Sequence, residues 1–519
     1  MSVRLLTSVA VLALSAGSAM ADYSLTVLHT NDFHDRFEPI NKYDATCSAE
    51  DNTEGKCFGG IGRMMTAVAE ARAAAPGDVL LLDAGDQFQG SLFFTEYAGD
   101  TAAEFMTKLG YDAMAVGNHE FDKGPEGLAN FLDKVEFPVL SANIDVSGDA
   151  LLADRVAKSV VLTPGSEKIG VISVLAEDTA ETSSPGDTVI FSGVAPAAQA
   201  EIDKLTAEGV NKIILLSHVG YAEDQRLAAE LTGVDLIIGG HSHTLLGDMD
   251  GALGAYPTMV GDVPVVTAYA YGKYLGELQL TFDDAGTLNG ITGAPKLLDA
   301  SVAEDADATA RVAELAVPLE EMKQTIVADA AEAIDGSREV CRAKECSMGN
   351  LVADAMLDRV KDQGIEIAIQ NGGGLRASID AGEVTMGEVI SVLPFQNTLS
   401  TFQVTGATFV EALENGVSEM ADGAGRFPQV AGVSYTVDPA AEVGHRISDV
   451  MVGGAPIDPA KVYGVVSNNY VRNGGDGYKM FKDAMNAYDF GPDLADVTAD
   501  YIIANAPYQP YTDGRITVK

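Results

Sequence analysis

Short apolar runs alternate with stretches of helical spacing along residues 22–300. Strands are predicted where Val, Ile, Leu and Met cluster, at 25–28, 79–82, 114–116, 139–140, 169–174, 213–216 and 236–238. Helices are predicted between several of these runs, for example at 62–75 and 101–109. This alternation predicts a layered α/β domain whose helices pack on the faces of sheets.

The pattern changes near residue 304. An Ala- and Glu-rich stretch at 304–325 has Leu315, Leu319 and Met322 on one side and predicts a connector helix, which Pro318 is expected to kink or divide in two. A second α/β domain is predicted at 326–519, after a first domain at 22–303. The length of 519 residues agrees, because it exceeds what one hydrophobic core usually supports.

The first 21 residues predict a cleaved signal peptide. Arg4 is followed by an apolar stretch at 5–14 and by the small-residue cleavage pattern Ala19-Met20-Ala21. The alternative is an uncleaved membrane anchor, but the apolar stretch is short and interrupted by Ser. The polar C-terminal residues also give no hydrophobic tail for a glycolipid anchor. We therefore expect a periplasmic or secreted protein without a membrane anchor.

The four cysteines fall in two close pairs, Cys47 with Cys57 and Cys341 with Cys346. An even number in an exported chain favours two local disulfides. The alternative, a zinc site made of all four thiolates, lacks the usual CxxC spacing.

The net charge of -43 narrows the possible partners. Nucleic-acid polymers and anionic membranes require a basic face, so neither is expected to bind. A small anionic substrate remains compatible, because divalent cations and a few Arg residues can invert the local field. The sequence leaves monomer and homodimer open.

Five of the predicted strands lead directly into residues that commonly bind metals. Five of the seven histidines lie in these loops. The segments in chain order are Asn31-Asp32-Phe33-His34, Asp83-Ala84-Gly85-Asp86, Gly117-Asn118-His119-Glu120, Ser217-His218 and Gly239-Gly240-His241-Ser242-His243. Mixed imidazole and carboxylate ligands favour Zn, Mn or Co over Ca or Mg, and an Asp from a central strand can bridge two ions.

The order D-x-H, GDQ, GNHE, SH, GGHSH resembles that of the calcineurin-like metallophosphoesterases. The longer segments TNDFH, GDQFQG and GNHEFD resemble the 5'-nucleotidase family in particular. The resemblance implies a calcineurin-like α/β sandwich followed by a C-terminal α/β 5'-nucleotidase domain. It also implies two divalent metal ions, one bound by Asp32, His34, Asp86 and His243, the other by Asp86, Asn118, His218 and His241.

Two further roles follow from the same resemblance. His119 would be the catalytic histidine that stabilises charge in the transition state, and Asp122 would orient its ring. His243 departs from the family pattern, because relatives often have Gln or Asn there. His29 is expected to be a core histidine, and His445 has no assigned role.

The second domain contains a different set of motifs. Arg342 and Arg376 can contact phosphate, Phe395 and Tyr470 can enclose a flat base, and Asp476 can accept hydrogen bonds from a ribose. The alternative is that the two aromatic residues belong to the core and the glycines only form turns. The segments are Cys341-Arg342, Asn371-Gly372-Gly373-Gly374-Leu375-Arg376, Val392-Leu393-Pro394-Phe395, and Asn469-Tyr470-Val471-Arg472-Asn473-Gly474-Gly475-Asp476-Gly477.

The resemblance to 5'-nucleotidases favours substrate contacts by Arg342, Asn371, Arg376, Phe395, Tyr470 and Asp476. Relatives commonly have Phe in place of Tyr470, and the Cys341–Cys346 loop would position Arg342. A helix is expected to start near Gly349. Because metals and base recognition lie on different domains, the resemblance also implies domain rotation, with a hinge near 325–333.

The resemblance therefore predicts an exported 5'-nucleotidase that hydrolyses nucleoside 5'-monophosphates to nucleoside and phosphate. Within the same family, a 2',3'-cyclic-nucleotide phosphodiesterase or a UDP-sugar or dinucleotide pyrophosphatase is the alternative. A non-catalytic nucleotide-capture protein is the alternative of a different class, although a binder would need neither His119 nor Asp122.

Overall fold

The computed structural model describes residues 22–42, 44, 47, 49–177, 179–395, 397–489 and 491–519. The predicted signal peptide at 1–21 lies outside the described residues. Within the described part of the chain, no helix is both long and apolar enough to cross a membrane.

The first domain contains two six-stranded sheets packed face to face. In spatial order, the strands of one sheet are Leu288–Leu297, Tyr274–Phe282, Tyr23–Thr30, Asp78–Asp83, Ala113–Ala115 and Val139–Leu140. The strands of the other are Thr258–Val260, Val263–Val266, Leu236–Gly239, Ile213–His218, Ile169–Leu175 and Ser159–Leu162. A two-stranded pair, Ile144–Asp145 with Ile190–Phe191, accompanies them.

Alternation within the strands explains this layering. Leu80 and Leu82 pack between the two sheets, whereas Leu81 faces the helices on the outer side. Both faces are buried, which is why these strands are continuous apolar runs in the sequence. The helices of the domain are Ala49–Thr53, Ile61–Ala74, Leu92–Tyr97, Asp100–Leu109, Gly124–Leu132, Thr179–Thr182, Val194–Ala207 and Tyr221–Glu230. The α/β sandwich predicted for this domain is confirmed.

Parallel pairing brings the candidate ligands to one edge. The strand Tyr23–Thr30 pairs in parallel with Asp78–Asp83, and that strand pairs in parallel with Ala113–Ala115. In the other sheet Ile213–His218 pairs in parallel with Leu236–Gly239. The carboxyl ends of these strands therefore meet at the same end of the sandwich, where their loops form the site.

The connector is one helix, Ala306–Met322, and it continues through Pro318. The division in two that was considered for this position is therefore wrong. Val312, Leu315 and Leu319 are buried in the core of the first domain, and this packing holds the helix on both sides of the proline. The next strand, Ile326–Ala330, already pairs with Gly382–Thr385 of the second domain.

The second domain is built on a mixed five-stranded sheet. Its strands in spatial order are Pro428–Ala431, Ile367–Asn371, Val462–Asn468, Leu399–Thr405 and Met485–Tyr488. A four-stranded sheet contains Ala455–Pro456, Ile447–Val452, Val433–Val437 and Ile516–Val518. The helices are Arg338–Cys341, Ser347–Arg359, Met386–Val392, Gly406–Val417, Asn469–Arg472 and Leu494–Ala504. This α/β architecture and the helix expected near Gly349 are confirmed.

Short 3-10 turns complete the described secondary structure. Those near the candidate sites are His119–Phe121, Gly372–Gly374 and Gly475–Gly477; the others are Lys361–Gln363, Met420–Asp422 and Lys479–Phe481. The structure also contains both disulfides expected from the cysteine spacing, Cys47–Cys57 and Cys341–Cys346.

Candidate active site

Six of the seven candidate metal ligands fall into two compact groups at the carboxyl ends of the strands. Within each group, the candidate ligand atoms all lie within 4.8 Å of one another. The groups are Asp32, His34 and His243, and Asp86, His218 and His241. Asn118, the seventh candidate, lies beside the second group. The structure therefore brings all seven together.

A carboxylate oxygen and an amide oxygen face imidazole nitrogens in the second group. His218 Nδ1 lies 2.7 Å from the backbone oxygen of Ala84, which assigns its proton to Nδ1 and leaves a lone pair on Nε2. That Nε2 is 3.0 Å from Asp86 Oδ2 and 3.2 Å from Asn118 Oδ1. Asn118 Oδ1 is also 2.8 Å from His241 Nδ1. Acceptors converge in this way around a cation or a proton.

The pKa shifts in the second group are compatible with either a cation or a proton between these atoms. Burial opposes a charge on His218, but Asp86 raises the pKa of His218 to about 10. Burial and the neighbouring His218 together lower the pKa of His241 to about 3. A bound cation would take the place of the proton on His218, since metal ligands must be deprotonated.

The first group has a similar arrangement. His34 Nδ1 lies 3.1 Å from the backbone oxygen of Phe88, so its Nε2 is free to act as a ligand. This Nε2 is 2.9 Å from His243 Nε2, which lies 3.5 Å from Asp32 Oδ1. Burial lowers the pKa of His34 to about 3, and His243 contributes in the same direction, so the ring is neutral. Two imidazoles and a carboxylate form a donor set that fits a transition-metal ion.

Five of these residues have backbone conformations that are unusual for side chains other than glycine. The φ angles are positive at Asp32 (52°), His34 (55°), Asp86 (59°), His241 (72°) and His243 (45°). Non-glycine residues rarely adopt positive φ, and such strain is commonly found at functional sites. The tight turns direct the side chains back across the strand ends.

His119 has the environment expected of a catalytic group. Its Nδ1 is 2.7 Å from Asp122 Oδ2, and the Ser183 hydroxyl donates to the other oxygen of that carboxylate at 2.7 Å. Among the described residues, His119 Nε2 has no hydrogen-bond partner although the side chain is buried. Burial disfavours the charged ring, but Asp122 and Asp86 together raise the pKa of His119 to about 9. The ring is therefore an imidazolium near neutral pH.

Glu120 is a site residue to which no role was assigned from the sequence. Its Oε2 accepts from the backbone N–H groups of Asp86 (3.0 Å) and Gly117 (2.7 Å). Its Oε1 accepts from those of Gln87 (2.9 Å) and Phe88 (3.3 Å). The fully buried carboxylate thus joins the loop of Asp86 to the loop of Asn118 and His119. The Glu of the GNHE segment was the sequence signal that could have identified this residue. Its contacts could not be predicted, because they depend on the parallel pairing of two strands.

Three of the predicted substrate residues form one hydrogen-bonded group in the second domain. Asp476 Oδ2 accepts from Asn371 Nδ2 at 2.7 Å, and Asp476 Oδ1 accepts from the Tyr470 hydroxyl at 3.0 Å. Asn468, which no sequence argument identified, donates to Asn371 Oδ1 at 2.9 Å. Asn468 is the last residue of a buried strand, which is the signal that could have identified it.

The remaining substrate candidates are positively charged or aromatic. The Arg376 guanidinium lies 5.6 Å from the centre of the Phe395 ring, in cation–π geometry. Arg342 is buried in the loop closed by the Cys341–Cys346 disulfide. Burial lowers the pKa of Arg342, the nearby Arg376 adds to this shift, and Asp476 opposes it. Arg338, Arg342 and Arg376 therefore lie close to the carboxylates of Asp476 and Glu339.

The two domains contact each other beside the metal-ligand groups. Asn118 Nδ2 donates to the Tyr488 hydroxyl at 3.5 Å, and Gln89 Nε2 donates to the backbone oxygen of Gly491 at 3.5 Å. A narrow cleft adjoins them. It is lined by His34, Arg36, Gln89, Gly90, His243, Tyr271 and Thr398.

His29, expected to be a core histidine, is fully buried, and its Nε2 lies 2.7 Å from the Tyr256 hydroxyl. Its ring packs so closely on Gly276 that a Cβ there would come within 2.1 Å of it. This packing agrees with a structural role.

Two family models match the chain. The calcineurin-like phosphoesterase model matches residues 25–245, and the model of the 5'-nucleotidase C-terminal domain matches residues 324–483. Each match overlaps the corresponding predicted domain. The resemblance inferred from the motifs is confirmed.

Similar proteins and structures extend over nearly the whole chain. A 5'-nucleotidase of Homo sapiens is 38% identical over 531 residues, covering 96% of this chain and 91% of the relative. The structure of a 5'-nucleotidase precursor from Thermus thermophilus is 41% identical, with a TM-score of 0.61 and coverage of 96% and 99%. That of a Haemophilus influenzae NAD nucleotidase is 26% identical, with a TM-score of 0.80 and coverage of 96% and 100%.

The Glu120 contacts generate a test. Glu120→Gln replaces one carboxylate oxygen by an amide that must face backbone N–H donors, so buried donors lose their partners, at about 1–3 kcal/mol each. We expect a lower thermal midpoint and weaker metal retention. The exposed Glu126→Gln, nearby in the chain, is the matched control. Calorimetry and metal analysis of both variants provide the measurement, and equal midpoints and equal metal content would contradict the role given to Glu120.

Proposed function

Because this chain belongs to the 5'-nucleotidase family, we propose that it is an exported enzyme that hydrolyses nucleoside 5'-monophosphates to nucleoside and phosphate. The broader prediction of a phosphoric monoester hydrolase is confirmed by the family membership. The observation that carries the proposal is the convergence of hydrogen-bond acceptors from Asp86, Asn118 and His218 beside the unpaired Nε2 of His119.

Two divalent ions, most reasonably Zn, Mn or Co, account for this convergence. The proposed ligands of the first ion are Asp32, His34, Asp86 and His243. The proposed ligands of the second are Asp86, Asn118, His218 and His241. His243 belongs to the first set because its Nε2 faces both His34 and Asp32. When bound, such ions polarise a phosphoryl group and make a water molecule acidic enough to attack it at neutral pH.

The protein residues around the ions have separate tasks in this proposal. The His119 imidazolium directs Nε2–H toward the phosphoryl group and stabilises the negative charge that develops there. Asp122 fixes the ring through Nδ1, and Ser183 fixes Asp122. Glu120 holds the loop of Asp86 next to the loop of His119. The carboxylate of Asp122 favours the charged form of the His119 ring, because it raises the pKa of that ring.

Substrate selection is assigned to the second domain. Arg342 and Arg376 supply positive charge for a phosphate, although the chain as a whole is strongly acidic. Phe395 and Tyr470 supply ring faces for a base, and Tyr470 keeps 39% of its surface exposed. The exposure of Tyr470 supports a binding role over the alternative of a core aromatic.

A change in domain arrangement is part of the proposal. The cleft beside His34 has essentially no room for a water-sized sphere, whereas small-molecule sites occupy roughly 300–1,000 Å³. Tyr488 also contacts Asn118, a proposed ligand. The TM-score of 0.61 at 41% identity, against 0.80 at 26%, fits a different arrangement of similar domains. We propose a hinge at 323–325, at the start of the segment 325–333 expected from the sequence, because the strand Ile326–Ala330 is already paired within the second domain.

Export is proposed on two grounds. The predicted cleavage pattern precedes Asp22, and both cysteine pairs form disulfides in the structure, which are typical of oxidising compartments. The oligomeric state is left as monomer or homodimer.

The substrate proposal is tested with four compounds. AMP, 2',3'-cyclic AMP, UDP-glucose and NAD are supplied at equal concentration to the metal-loaded protein, and released phosphate and nucleotide are quantified. We expect AMP to have the highest kcat/KM, because the two Arg side chains fit one terminal phosphate. A preference for cyclic AMP, UDP-glucose or NAD would replace the proposal with the corresponding family alternative, and NAD is the named substrate of one similar structure.

His119→Ala is the matched variant for that assay. It should retain both ions while turnover of AMP falls by on the order of a hundredfold or more, because a preorganised donor to the phosphoryl group is lost. If no compound reacts but AMP still binds, the protein captures nucleotides without hydrolysing them, and the enzymatic proposal is wrong.

The domain rearrangement is tested by linking the domains. Burial raises the pKa of Asp496, Asp493 and Asp500 add to this shift, and the ammonium of Lys123 in the first domain opposes it, so Lys123 and Asp496 interact electrostatically across the two domains. Lys123→Cys with Asp496→Cys, joined by a photocleavable bis-maleimide, should turn over AMP at less than about one tenth of the unlinked rate and recover on illumination. Each single variant treated with the reagent is the control. Full turnover by the linked protein would contradict the rearrangement.

A further inference from the structure

Every hydrogen-bonding group of Asp476 is bonded to a neighbour. Its two carboxylate oxygens accept from Tyr470 and Asn371, as described above. Its backbone N–H donates to the Tyr470 hydroxyl at 3.2 Å, and its backbone oxygen accepts from Asn415 Nδ2 at 3.2 Å. The residue has a positive φ of 50°, which Asp tolerates better than most residues. The carboxylate is therefore held in one orientation.

The Tyr470 hydroxyl makes two of these contacts at once. It donates to Asp476 Oδ1 and accepts from Asp476 N–H, so it closes a small ring of hydrogen bonds around one residue. A phenylalanine at this position would leave both groups of Asp476 without that partner. Each carboxylate oxygen has a second lone pair, so Asp476 can still accept hydrogen bonds from a ligand while it is tied.

Gly475 allows this arrangement. A Cβ at Gly475 would lie 2.5–2.6 Å from three atoms of the Tyr470 ring, so the ring lies flat against the glycine backbone. One ring face is covered in this way, and the exposed part of the side chain faces outward. The Tyr470 ring and the hydrogen-bonded carboxylate of Asp476 therefore lie next to each other.

We propose that the Tyr470 hydroxyl is a specificity-determining group that fixes Asp476 to recognise the vicinal diol of a ribose. The inference rests on the proposed function, because it requires a nucleotide whose base lies near the Tyr470 ring. A carboxylate held in advance does not lose rotamer freedom on binding, so both sugar hydroxyls are recognised at little entropic cost. Substrates without one of the two hydroxyls leave a lone pair of Asp476 unpaired and bind less well.

The test compares AMP with 2'-deoxy-AMP and 3'-deoxy-AMP in wild type and in Tyr470→Phe. The readout is the ratio of kcat/KM for AMP to that for each deoxy compound, which does not depend on the fraction of folded enzyme. We expect the ratios to fall by about tenfold in Tyr470→Phe, mainly through a higher KM for AMP, as for loss of one hydrogen bond to a charged group. The KM values for the deoxy compounds should change less.

Tyr511→Phe is the matched control, since Tyr511 is similarly exposed and donates its hydroxyl to the carboxylate of Asp354. Its ratios should equal those of wild type. Unchanged ratios in Tyr470→Phe would overturn the inference while the nucleotidase proposal stands. If wild type hydrolyses neither AMP nor the deoxy compounds, the proposed function fails and the inference fails with it.

Discussion

Buried hydrogen-bond acceptors lie close together at the candidate metal site, and the first domain is organised around this constraint. An Asp carboxylate, an Asn carbonyl and an imidazole lone pair meet at 3.0–3.2 Å in a place with no exposed surface on Asp86, Asn118 or His218. Such an arrangement is repulsive unless positive charge lies among the atoms. The two cations proposed above would remove this repulsion and would favour the deprotonated ligand set.

The surrounding structure holds these acceptors close together, although they repel each other. Parallel strands of two sheets bring five loops to one end of the sandwich, and positive φ angles turn the ligands inward. Glu120 anchors two of those loops through four backbone N–H groups. The strain of the turns and the burial of Glu120 are costs that the packing of the two sheets offsets.

Much of this site could be predicted from the Asp, Asn and His residues that follow buried strands. Such residues lie at the edge of the sheet where the parallel strands end. The layered first domain and the two disulfides also followed from local patterns. Contacts between distant loops did not, since the bonds of Glu120 to the backbone of Gln87 and Phe88 depend on tertiary placement. The contact of Tyr470 with Asp476 is local, but it depends on the exact turn at Gly475. The division of the connector helix at Pro318 was wrongly predicted for the same reason, because packing on the first domain decides whether that helix continues. The hairpin of Tyr274–Phe282 with Leu288–Leu297 was missed, as its second strand contains three polar residues and two glycines.

Metal content per chain tests the central claim most directly. Wild type, Asp32→Ala and Asp86→Ala are loaded with Mn, Co or Zn, freed of excess ion and measured by mass spectrometry, with circular dichroism as the check of folding. Because Asp86 is shared, we expect about two ions in wild type, about one in Asp32→Ala and nearly none in Asp86→Ala. A single ion in wild type, or equal content in the two folded variants, would contradict a two-metal centre that shares Asp86.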